Sequence, residues 1–146
     1  MKTAYFDCIA GASGDMLLGA LLDAGLSEAD LRAELAKLPI SGWDIRVRRV
    51  DKNCFTATKL DVLVSAQPHS RPLPEIERVV RESTLSESVK TQALQVIRII
   101  AAEEARIHGM PVEEVHLHEV SGEDAIIDIV GTIVGIELLG IERVHC

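Results

Sequence analysis

A chain of 146 residues with 47% hydrophobic side chains suits one domain around one core. Its formal net charge of −8, with no basic run, argues against non-specific binding to nucleic acid or anionic membranes. No apolar run reaches membrane-spanning length, Met1 to Asp7 lacks a secretory apolar region, and three widely spaced cysteines make no disulfide framework. The cytoplasm is the expected location.

Ala4 to Cys8 is apolar around one acid and predicts a buried strand, with Asp7 near its end. A buried carboxylate needs a partner or a metal, and ligands of open α/β sheets gather at the carboxyl ends of strands. Asp7 is therefore either a satisfied structural acid or a site residue. In the turn that follows, Gly11, Ser13 and Gly14 let backbone N–H groups approach a ligand at the start of an apolar helix, Met16 to Leu22. The plainer reading is ordinary capping, for which Ser13 and Asp15 are both competent. Ser27-Glu28-Ala29-Asp30 has the form of a capping box and opens a second helix with an apolar stripe of Leu31, Leu35 and Leu38.

Trp43 to Val50 alternates apolar and charged residues and predicts a half-buried strand. A second strand spans Thr56 to Val64 through Ala57, Leu60, Val62 and Val64, with Asp51-Lys52-Asn53 as the turn of an antiparallel hairpin. The three prolines of Ser65 to Pro74 predict an extended, mobile loop. Glu75 to Glu82 is a short helix. Ser86 caps a long one whose inner stripe is Val89, Ala93, Val96, Ile97, Ile100 and Ile107. Glu104 and His108 fall one turn apart near its end, as a solvated pair or as ligands. Gly109-Met110-Pro111 breaks that helix.

Val115 to Asp128 then holds most of the chemistry. It predicts a short strand, a tight turn and a helix start. Alternation along a strand points His116 and His118 to one face and Glu119 to the other, unless the strand ends at His118 and the chain turns there. Asp124 and Asp128 are one helical turn apart on the next helix. Two imidazoles and up to four carboxylates form a divalent-metal or acid/base constellation. The helix continues through Gly131 and Gly135, which predict close packing on the aspartate-bearing face. The pattern as a whole predicts an α/β fold. A small mixed sheet, parallel around the first and last strands and with a hairpin at one side, is covered by helices. Residues 1–146 form a single domain. Ile141 to Cys146 reads as a strand cut off in mid-run, so the expectation is the N-terminal domain or a fragment of a longer protein.

Phe6-Asp7-Cys8 with Gly11-x-Ser13-Gly14-Asp15-Met16 resembles the opening of the LarC nickel-insertion proteins. So do Glu104-Ala105-x-Ile107-His108-Gly109, Val115-His116-x-His118-Glu119-Val120 and Asp124-x-Ile126-x-Asp128-Ile129-Val130-Gly131, in consistent order. The resemblance implies an enzyme of the lyase class, a cyclometallase or chelatase, that inserts nickel into the pincer cofactor of lactate racemase and related enzymes. It implies CTP with Mg²⁺ or Mn²⁺, a CTP-binding C-terminal domain as partner, and a pyridinium bis-thiocarboxylic acid mononucleotide as the precursor that receives Ni–C and Ni–S bonds. A homo-oligomer is expected, and the isolated domain is expected to be inactive. Many members carry a long histidine run where this chain has Gln67-Pro68-His69-Ser70, so this loop should contribute little to metal affinity.

Residues and resemblance together suggest His116, His118, Glu119, Glu104 and His108 as metal-binding groups. They suggest Asp7, Asp15, Asp124 and Asp128 as catalytic carboxylates, and Gly11, Ser13 and Gly14 as cofactor-binding. Two other functions fit the same residues. One is a metal-dependent phosphohydrolase. The other is a non-catalytic domain that stores nickel or holds an oligomer together.

Overall fold

The computed structural model describes residues 1–9, 11–65, 71–115, 117 and 120–146. Along them run β1 (Lys2–Tyr5), α1 (Gly14–Asp23), α2 (Glu28–Leu35), β2 (Trp43–Lys52) and β3 (Phe55–Val64). There follow α3 (Leu73–Glu82), α4 (Glu87–His108), a 3-10 turn (Val112–Glu114), α5 (Glu123–Leu138) and β4 (Ile141–His145). The expected α/β class holds, with helices covering strands. The first and last strands are parallel neighbours and β2–β3 is an antiparallel hairpin; the two pairs form separate two-stranded sheets.

α5 is the hub because it is apolar on most sides. Ile126, Ile127, Val130, Ile133 and Val134 are all buried, and the helix touches α1, α2, α4, β3 and β4. The two glycines expected to permit close packing do so against α1 and the turn after it. A Cβ on Gly131 would stand 3.1 Å from Leu18 Cδ2, and one on Gly135 would stand 2.9 Å from Leu21 Cδ1. Leu18 and Leu21 thereby lose nearly all contact with water, stabilising the pair of helices by roughly 2 kcal/mol per side chain.

On its other side α1 meets the hairpin. Gly19 lies so close to β3 that a Cβ would stand 2.5 Å from the Thr58 carbonyl oxygen. Asp23, at the end of α1, accepts from the Thr58 backbone N–H at 3.1 Å and the Thr58 hydroxyl at 2.6 Å. From α2, Arg32 donates to Asp44 at 2.6 Å and to the Ile45 carbonyl oxygen of β2. Ser27 caps α2, its Oγ accepting from the Asp30 N–H. Leu31, Leu35 and Leu38 are buried as their spacing predicts.

Several expectations change. The first strand lies two residues earlier than Ala4 and is largely exposed, so Asp7 falls past its end, in the open. The hairpin turn is Asn53-Cys54, both at positive φ (51° and 67°), between the paired Lys52 and Phe55. Positive φ at both central residues is the geometry whose twist matches the strands. Ala57 is exposed, because it has the opposite parity to the inward Leu60.

In α4 the buried stripe is Val89, Ala93, Ile97, Ala101 and Ala105, whereas Val96 and Ile107 are exposed. The small alanines let α4 approach its neighbours, and the larger residues fall to the sides. Val115 and Leu117 are buried in alternation but lie in no strand. A local bond from Val115 N–H to Val112 O closes the 3-10 turn before them. His116, His118, Glu119 and the loop centre Ala66 to Ser70 lie outside the described residues.

The tight seat of Gly19 gives a direct test. Gly19→Ala should lower stability by about 1–3 kcal/mol through overpacking, despite alanine's better helix propensity. Denaturant unfolding measures it, and an unchanged or raised midpoint would contradict the close approach.

Candidate functional site

The turn before α1 delivers Gly14 onto the side chain of Asp128. A Cβ on Gly14 would lie 2.4 Å from Asp128 Cβ and 2.6 Å from its Oδ2. Only glycine lets the helix start there. The Asp15 backbone N–H, one of the free donors of a helix start, bonds to the Asp128 carboxylate. Asp15's own carboxylate accepts from the Ser13 hydroxyl, and from the Met16 N–H at 2.9 Å. Ser13 thus stands at the N-cap position of α1 without capping a backbone N–H. The α1 start does receive an anion, and that anion is the chain's own aspartate.

Asp124 and Asp128 sit in the first two turns of α5, as their spacing predicts. Asp124 is exposed and Asp128 half-buried. Asp15, Asp124, Asp128, Asp61 and Val62 line an open cavity of about 230 Å³. Burial, and then the charges of Asp15 and Asp124, push the Asp128 carboxyl up to about 6, against the weaker opposing pull of the Asp15 N–H. Asp128 therefore exchanges a proton near neutrality. Asp61 is the reverse. Bonds from Arg48 at 3.1 Å and Lys59 at 3.2 Å, with Arg46 at 3.3 Å, hold its carboxyl below the usual carboxylate range. It is a fixed negative charge on the cavity wall.

Asp128 is also the wall of a second cavity, of about 550 Å³, between α1, α4 and α5. Its apolar lining includes Leu17, Val96, Ile100, Ala125, Ile129 and Ile133, and Thr132 joins Asp128 as a second polar side chain. Asp128 Oδ1 and Thr132 Oγ1 are buried without a hydrogen-bond partner among the described residues.

The other expected site residues distribute as follows. Asp7 and Gly11 are exposed. Glu104 and His108 pair with one another at 3.2 Å near the C-terminal end of α4. His116, His118 and Glu119 lie outside the described residues. Among the described residues, no three His, Cys, Asp or Glu side chains form a group able to hold a metal ion. Three features escaped sequence reasoning. Asp61 is one; its signal was the cross-strand register that sets it opposite Arg46. Thr132 is another, one turn beyond Asp128 on the same face of α5. The third is the ion pair of Arg71 Nη2 with Glu123 Oε1 at 2.7 Å, side chains 11% and 9% exposed, which ties the end of the proline-rich loop to the start of α5.

Residues 4–146 match the family described as nickel insertion protein. Over 99% of this chain, 39% of residues are identical to a protein of Dictyoglomus thermophilum provisionally named a nickel insertion protein, of which 38% is covered. A protein of Syntrophobacter fumaroxidans with the same provisional name is 46% identical over 98% of this chain and 37% of its own length. The pyridinium-3,5-bisthiocarboxylic acid mononucleotide nickel insertion protein of Staphylococcus epidermidis is 41% identical over 99% of this chain and 37% of its own length. The chain thus spans under two-fifths of these relatives. No solved structure matches it.

The raised Asp128 carboxyl predicts a pH signature. Its folded value of about 6 exceeds the ordinary 3.8, so the folded state holds this proton more tightly. The resulting stability is complete below pH 3.8 and is lost as pH rises through about 6. Asp128→Asn should therefore melt a few degrees above wild type at neutral pH, with the gap closing at acid pH. Thermal melts across that range check it; a variant that unfolds would identify Asp128 as a structural acid.

Proposed function

The chain belongs to the nickel insertion protein family, and from that premise we propose that it is the N-terminal domain of an enzyme that places nickel in a pyridinium-3,5-bisthiocarboxylic acid mononucleotide, serving lactate racemase-type enzymes. The likeness to the Staphylococcus epidermidis protein supports the substrate. One observation carries the role of this domain: a half-buried aspartate, raised to about 6, on the wall of both an acidic and an apolar cavity.

Nickel is here a substrate. Its bond to the ring forms at the carbon between the two thiocarboxylates, and that carbon must lose a proton. Asp128 suits this step, because a carboxylate of raised basicity is still mostly ionised at neutral pH and takes the proton as the C–H bond becomes an Ni–C bond. Asp15 and Asp124 keep the local potential negative, which favours a divalent cation on that side. Gly14 and the Asp15 N–H hold Asp128 in orientation. On this reading Mg²⁺ or Mn²⁺ travels with CTP, and the imidazoles of His116 and His118 suit nickel. CTP belongs on this reading to the C-terminal domain, so the site here provides the metallation centre and not the nucleotide centre.

Nickel transfer into the mononucleotide by the whole protein tests the reading. Asp128→Asn should slow it by about 100-fold or more while nickel binding persists, and an undiminished rate would refute the proton-accepting role. Residues 1–146 alone should not hydrolyse CTP; turnover by this chain would return the choice to a phosphohydrolase. Imidazoles bind nickel only when neutral, so affinity should fall below about pH 6.5. His116→Ala combined with His118→Ala should abolish both the binding and that dependence, and unchanged titrations would eliminate the pair as ligands.

A further inference from the structure

The larger cavity has a composition that selects its occupant. Six aliphatic side chains from three helices make its walls, and among the described residues no Lys, Arg or His lines it. Its polar side chains, Asp128 and Thr132, lie one turn apart on α5 and present Oδ1 and Oγ1, both buried and without partners among the described residues. Buried polar atoms of this kind are unfavourable unless something bonds to them. A negative group set among apolar walls complements a flat, apolar-faced cation. The volume of about 550 Å³ falls in the usual range for small-molecule sites.

We propose that the cavity between α1, α4 and α5 seats the planar pyridinium ring of a mononucleotide, with Asp128 and Thr132 as its polar contacts. This rests on the nickel-insertion reading of the same site. The ring then lies on one side of Asp128 and the acidic cavity on the other. The two substrates approach the same carboxylate from opposite faces, the organic one through aliphatic walls and the metal through carboxylates. The Val96 side of the cavity, 37% exposed, is the entrance.

The test is calorimetric titration of the protein with nicotinic acid mononucleotide, a pyridinium mononucleotide, and with ribose 5-phosphate, which lacks the ring. Isoleucine methyl spectra are recorded alongside. The pyridinium compound should bind and shift the Ile100, Ile129 and Ile133 methyls; ribose 5-phosphate should do neither. Val96→Trp, which fills the entrance, should weaken binding at least tenfold. Thr132→Val, which keeps the shape and removes the hydroxyl, should weaken it several-fold. Both variants should keep the wild-type melting temperature and nickel affinity. If Val96→Trp fails to fold, Thr132→Val and the methyl shifts decide. Equal binding of ribose 5-phosphate, or pyridinium binding without those methyl shifts, overturns the cavity assignment. If nickel is still inserted in that case, the functional reading stands without it. If the protein neither binds a pyridinium mononucleotide nor inserts nickel, both fall.

Discussion

The site depends on a contact between backbone and side chain: α1 begins where Asp128 of α5 already stands. No side chain fits between Gly14 and that carboxylate. The contact does three things at once. It buries part of Asp128, it gives one oxygen a backbone donor from Asp15, and it places the Asp15 carboxylate beside it. Burial and like charge both disfavour ionisation, so the raised pKa follows from where the helix starts. The remaining glycines of α1 and α5 serve the same end. Gly19 lets α1 lie on β3, and Gly131 and Gly135 admit the leucines of α1 and the following turn. The first helix is thereby fixed from both sides, and its start is held against Asp128.

Carboxylates around one small cavity meet different fates because their neighbours differ. Asp61 comes from a strand whose partner supplies Arg46 and Arg48, and Lys59 lies beside it on its own strand. Asp128 comes from an apolar helix, and among the described residues the charges acting on it are those of other acids, opposed by one N–H. The first remains charged across the physiological range; the second exchanges its proton within it. The cavity thus has one permanent and one adjustable negative wall.

Much of this was legible in the chain. The spacing of Asp124 and Asp128 put both on one helix face, the Ser27 box opened α2, and the alternation of Trp43 to Val50 gave a strand. These are local patterns, and local backbone geometry decides them. What was not legible depends on distant partners. The exposure of Asp7 follows from β1 having, among the described residues, β4 alone beside it. The exposure of Val96 and Ile107 follows from which residues of α4 face α3 and α5. Asp61 looked like one charge among several on a hairpin until register and packing brought it to the aspartates.

The hairpin has one further consequence. A two-stranded ribbon has two edges, and each is a template on which a foreign strand can add. Here Asp23 occupies the Thr58 N–H on the β3 side, and Arg32 occupies the Ile45 carbonyl on the β2 side. α1 and α2 thus each send a charged side chain to one edge of the hairpin, which an incoming strand would have to displace. The links that hold the hairpin to the body also guard it against self-association into extended sheets, in a segment of ten-residue strands otherwise long enough to invite it.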